Sequence, residues 1–120
     1  EGLGFAIPSE KVFQIASELI KYGKVRNAWI GNFRVRPIKL LNKNQFTALE
    51  IIEIGDKGPL IEAGVTQGDL ITGINGGLGS WNNLTQALKL AFPGDIIDLE
   101  VMSDEESDKL LLSIKTEPIN

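Results

Sequence analysis

A chain of 120 residues with 42% apolar residues, a net charge of −4 and a mean hydropathy of +0.02 is sized for one core plus an appendage. No apolar run approaches the roughly 20 residues of a membrane-spanning segment, and 12 basic against 16 acidic residues give no dense basic face for nucleic acid. Cysteine and histidine are both absent, which removes disulfides, thiol nucleophiles, Ser-His-Asp and Cys-His catalysis, and every histidine-based metal site. No catalytic residue, metal ligand or cofactor is therefore expected of this chain.

In chain order, EGLGFAIP (1–8) reads as a short apolar strand closed by a proline. A helix follows, with Ser9 as its cap and Glu10 in its first turn. Val12, Ile15, Ala16, Leu19 and Ile20 recur at helical spacing and make one apolar face, and Gly23 ends the helix. That face needs a partner, either the rest of the chain or a second copy.

Asn27 to Asn32 reads as a loop. Phe33, Val35 and Ile38 continue as an alternating strand, with Arg34 and Arg36 on its other side. Leu41 to Gln45 is a polar turn, and FTALEIIEI (46–54) is a strand rich in apolar and β-branched residues.

From Gly55 to Gly76 the glycines punctuate. Gly58 before Pro59 breaks the strand, Pro59 opens one short helical turn, and Gly64 suits the left-handed residue that stops it. Gly68-Asp69 makes the next reversal, and Leu70, Ile71 and Ile74 suit a buried strand. A glycine loop leads to a second helix from Trp81 to Phe92, capped by Ser80, with Leu84, Ala87, Leu88 and Ala91 on one face and Pro93-Gly94-Asp95 as its stop. Ile96 to Met102 and Lys109 to Thr116 are two strands joined by the polar SDEESD.

Gly58-Pro59-Leu60, Ala63-Gly64-Val65, Gly68-Asp69-Leu70-Ile71 and Ile74-Asn75-Gly76 together resemble the signature of PDZ domains. GLGFAIPSEKVFQIASELIKYGKVRNAWIG, upstream, is similar to the end of the protease domain and the linker into the PDZ domain of HtrA/Deg-type serine proteases. The resemblance implies an α+β, PDZ-like fold: a small, partly open five-stranded β-barrel or sandwich capped by two helices, circularly permuted in the bacterial manner and preceded by an extra N-terminal helix. Residues 1–25 would be the last strand and helix of the protease domain plus linker, and 26–120 the PDZ domain. The catalytic residues of such a protease would lie upstream of Glu1. The resemblance also implies an extracytoplasmic setting, periplasmic or cell-envelope.

In PDZ domains a peptide adds as a strand to a sheet edge beside a helix, and its terminal carboxylate meets backbone N–H groups of a glycine-containing loop. Carried over by position, the loop is Trp29, Ile30, Gly31 and Asn32, the strand begins at Phe33 and Arg34, and the helix offers Leu84 and Leu88. Asn32 departs from the apolar residue usual there. The competing reading of Trp29, Ile30 and Leu88 is plain core. The expected partners are C-terminal or extended polypeptide segments, the chain's own protease domain, and a second copy through the N-terminal helix, with no nucleic acid and no membrane span. The alternative is an occluded groove, filled by its own loop or by Arg34 and Arg36, in a module of oligomer assembly.

Two other clusters look chemical. Gly76-Gly77-Leu78-Gly79 lacks the Lys-Ser/Thr of a phosphate-binding loop and reads as a turn. Asp104, Glu105, Glu106 and Asp108 lack the spacing of a calcium loop and read as a solvated hairpin tip.

Overall fold

The computed structural model describes residues 9–23, 27–40, 46–104 and 107–119. The expected strand over 1–8, the turn over 41–45, the tip carboxylates Glu105 and Glu106, and the side chain of Ser9 lie outside what is described.

The first helix, α1 (Ser9–Tyr22), ends as its sequence requires: Gly23 takes φ 72°, and its N–H donates to the Leu19 carbonyl at 3.0 Å. Its apolar face is uncovered. Val12, Phe13 and Leu19 are exposed and Ile20 is 84% exposed, and no other described element makes more than marginal contact with the helix. The expectation that this face finds cover on the body of the chain is therefore corrected. The body's core is closed by its own sheet and long helix without α1, and the other expected cover, a second copy, is left as an expectation.

The body is built from β1 (Ala28–Trp29), β2 (Phe33–Leu40), β3 (Phe46–Ile54), α2 (Pro59–Glu62), β4 (Leu70–Ile74), β5 (Gly77–Leu78), α3 (Trp81–Leu90), β6 (Ile96–Met102), β7 (Leu110–Lys115) and β8 (Glu117–Pro118). One antiparallel sheet runs β2-β3-β4-β6-β7, with β5 paired to β4; β1 and β8 form a separate two-stranded ribbon. The five strands expected are the five on this path. The three two-residue strands are additional, so the five-stranded count is corrected to eight among the described residues, in two sheets, and the helices number three.

β2 alternates as its sequence does, with Phe33 and Val35 half-buried and Arg34 and Arg36 exposed, through a bulge between Arg34 and Val35. On the outer face Arg34 pairs with Glu53 at 3.6 Å and Arg36 with Glu50. β4 is the central strand and is buried along most of its length. The core gathers Leu49, Ile51, Ile71, Ile74, Leu84, Ile97, Leu99, Val101 and Ile114, with Phe33, Val35, Leu88 and Leu112 packed against it. Each such side chain contributes roughly 1.5–3 kcal/mol when taken fully out of water.

The glycine punctuation behaves as read. Gly58 (φ 117°, ψ 171°) leads into Pro59 at the first position of α2, and Gly64 and Gly68 take φ 98° and 94°. Gly68 N–H donates to the Ile51 carbonyl at 2.7 Å, and Ile51 N–H to that of Asp69 at 2.9 Å, which locks the reversal onto β3.

Ser80 caps α3, its Oγ accepting from Asn83 N–H at 3.1 Å. The helix ends at Leu90, two residues before the expected Phe92. Ala91 is already extended (ψ 145°), Phe92 precedes a proline, and Phe92 N–H is taken by the Asp95 carboxylate at 2.9 Å.

Candidate functional site

Among the described residues β2 pairs with β3 alone, so its other edge carries no strand. Asn32 C=O accepts from Gly55 N–H at 2.8 Å, on the β3 side. The alternation of an antiparallel pair then turns the N–H and C=O of Phe33 toward the unpaired edge. Helix α3 lies along that edge. Between them runs a groove of about 280 Å³ lined by Phe33, Arg34, Val35, Trp81, Leu84, Thr85 and Leu88.

Toward the end of α3 it continues into a second hollow of about 400 Å³, which shares Phe33, Thr85 and Leu88 and adds Trp29, Ile30, Gly31, Lys89 and Ile119. The floor and walls are apolar. The charged side chains are Arg34, drawn outward by Glu53, and Lys89 in the last turn of the helix.

The loop before β2 is fixed by its neighbours. The expected loop over 27–32 is corrected at Ala28–Trp29, which form β1 against β8, with Ala28 opposite Pro118 and Trp29 opposite Glu117. Ile30 is buried, at 1% exposure, and its carbonyl accepts from Leu60 N–H at 2.9 Å. Gly31 has φ 129°, and Gly58 lies directly against it: a Cβ on Gly58 would sit 2.8 Å from the Gly31 Cα and 3.2 Å from the Trp29 ring. Two glycines back to back thus let the loop close on the turn before α2.

Of the eight residues singled out in the sequence, Trp29, Ile30, Gly31, Phe33 and Leu88 line the second hollow, and Phe33, Arg34, Leu84 and Leu88 line the groove beside β2. Asn32 lines neither. Its side chain is exposed and its Oδ1 accepts from the Trp29 indole N–H at 3.2 Å, so the polar residue steadies the loop instead of entering the apolar hollow. Ile30 and Leu84 are core residues as well as wall.

Trp81, Thr85, Lys89 and Ile119 were missed. Trp81, Thr85 and Leu88 follow the spacing of three and four that puts side chains on one helix face, so the first two were within reach of the sequence. Ile119 was not, because only the β1–β8 pairing brings it there.

A separate hollow of about 440 Å³ lies on the opposite face of the sheet, where Thr72, Asp98 and Glu100 alternate with the core-facing Ile71, Leu99 and Val101. Thr72 Oγ1 donates to Glu100 Oε1 at 2.8 Å, and Lys109 Nζ lies 3.2 Å from the same oxygen. The Thr72 hydroxyl holds the Glu100 carboxyl below its ordinary pKa against burial, the next effect in size, and Lys109 adds to the lowering. With its charge so answered, Glu100 reads as a structural carboxylate. At the hairpin tip Ser107 Oγ donates to Asp104 Oδ1 at 3.0 Å, closing a local turn. Among the described residues no cluster of three or more potential ligands could hold a metal ion, and no helix is long and apolar enough to cross a membrane.

Comparison with known proteins fits this geometry. No family model matches the chain. A probable periplasmic serine endoprotease, DegP-like, from Brucella suis is 29% identical over 126 residues, covering 98% of this chain and 24% of that protein. The serine endoprotease DegS of Escherichia coli K12 is 27% identical over 124 residues, covering 98% of this chain and 35% of its own.

The chain is homologous over its whole length to part of the HtrA/Deg-type serine endoproteases. It spans about a quarter to a third of the length of these HtrA/Deg relatives. Among solved structures, an HtrA-type protease AlgW variant with a decapeptide superposes with a TM-score of 0.68 at 20% identity, over all of this chain and 37% of the other. The serine endoprotease from Yersinia pestis gives 0.61 at 22% identity, over all of this chain and 39% of its own. The fold is thus a small α+β domain that matches part of the HtrA proteases.

Proposed function

We propose that residues 26–120 form a PDZ domain of the circularly permuted bacterial type, which binds apolar C-termini or extended polypeptide segments in the groove between β2 and α3 and so feeds or regulates a serine endopeptidase. The reading assigns 1–25 to the end of the protease domain and the linker. It makes the chain's own protease domain a partner, with α1 as the surface turned to it or to a second copy, and sets the protein outside the cytoplasm.

The observation that carries this reading is the unpaired edge of β2 beside an apolar helix face, at a separation that leaves an open groove. An added strand would take its main-chain bonds from that edge and its specificity from Leu84, Leu88 and the hollow near Gly31. Few residues would be buried, so affinities near micromolar are expected. The occluded-groove alternative has less support: Arg36 is engaged by Glu50, and Arg34, although it borders the groove, is paired with Glu53 on β3.

The chain's two tryptophans, Trp29 and Trp81, both line the groove and its continuation and provide the readout. Titration with an octapeptide ending in leucine should change their emission with a micromolar Kd. The same peptide N-methylated at alternate backbone positions should bind at least tenfold more weakly. Equal binding of both peptides would refute strand addition.

A further inference from the structure

The hollow at the end of α3 is bordered by an exposed cation that has no ion-pair partner among the described residues. Lys89 lines it together with Ile30, Gly31, Leu88 and Ile119. Among the described residues the ion pairs are Arg34–Glu53, Arg36–Glu50 and Lys109–Glu100, and Lys89 takes part in none of them. The hollow's other lining side chains are Asn27, Ala28, Trp29, Phe33, Thr85 and Gln86, none of them acidic. An apolar pocket with one unanswered positive charge and a positive-φ glycine at its rim suits a ligand that is apolar and carries a single negative charge.

Resting on the peptide-binding reading, we propose that Lys89 is the counter-ion of the bound peptide's terminal carboxylate, so that the helix end as well as the Gly31 loop selects a free C-terminus over an internal segment. The chain's own strand β8 completes the pocket. Ile119 N–H donates to the Asn27 carbonyl at 3.1 Å, which fixes the backbone from which the apolar Ile119 side chain lines the hollow. A basic residue in the last turn also complements the helix dipole, but that role stabilises the fold without distinguishing an acid from an amide.

The test uses a fluorescein-labelled octapeptide ending in leucine, as free acid and as C-terminal amide, against the wild type, Lys89→Gln and Lys89→Arg. The wild type should prefer the acid. Lys89→Gln should weaken acid binding about threefold, as expected of a solvent-screened pair, and leave amide binding unchanged. Lys89→Arg should restore the preference, and 0.5 M salt should narrow it in the wild type and in Lys89→Arg but not in Lys89→Gln.

An acid preference that survives intact in Lys89→Gln overturns this inference and leaves the groove reading standing. Equal weakening of acid and amide also overturns it, because the effect is then one of helix stability. Failure of the wild type to bind either peptide overturns both readings.

Discussion

Replacing Gly58 by alanine sets two costs at a single position. With φ 117° and ψ 171°, Gly58 occupies a backbone region open in practice only to glycine, which costs a residue with a side chain about 1–3 kcal/mol. The new methyl would also stand 2.8 Å from the Gly31 Cα, and backbone cannot swing aside as a flexible side chain can. Displacing the 29–32 loop adds about 1–3 kcal/mol by comparison with overpacked cores.

Gly64→Ala is the control. Its φ is 98°, and nothing lies within 4 Å of the added carbon, so it bears only the backbone strain of about 1–2 kcal/mol. Urea unfolding followed by circular dichroism should place Gly58→Ala below Gly64→Ala by about 1–3 kcal/mol. Peptide titration should show a weakened site in Gly58→Ala alone. Equal midpoints, with peptide affinity untouched in both, would refute the claim that the two glycines set the position of the loop.

Ser80→Ala should cost about 1 kcal/mol and lower the melting temperature, because Asn83 N–H loses its cap, whereas Ser80→Asp should retain most of the stability. Thr72→Val should cost about 1 kcal/mol near neutral pH by removing a hydrogen bond to a partly exposed, charged carboxylate. Because folding lowers the Glu100 pKa, the stability it supplies is present above the ordinary carboxyl range, about 4.3, and is lost as pH falls through the folded-state value. Melting curves for wild type and Thr72→Val should therefore converge on acidification; a gap that never narrows over the acid range in which both proteins stay folded would sink the assignment.

What the sequence made legible was local and punctuated. Ser80, Gly64, Gly68 and Pro59 each have one conformation that suits them and occupy it, and the alternation along Phe33 to Arg36 matches the burial of β2. Asn75-Gly76 was legible and went unread. Both residues have positive φ (50° and 82°), the pattern of a two-residue hairpin turn, and it pairs β5 with β4 where only a glycine loop was expected.

The β1–β8 ribbon could not be read. Two residues show no periodicity, and the partner of Ala28 lies 90 positions away in sequence. For the same reason the residues expected at the groove do line it where they come from one helix face or one strand, as with Leu84, Leu88 and Phe33. They were incomplete where a distant segment, such as Ile119, supplies a wall.

The bond between Ile119 and Asn27 has a mechanical meaning as well. Residues 27 and 119, the first and last described residues of the body, are fastened to each other at one corner, as a clasp joins the two ends of a bracelet. Tension applied at residue 27 or 119 would therefore load the two-stranded β1–β8 ribbon, at Trp29 and Glu117, before it reached the large sheet.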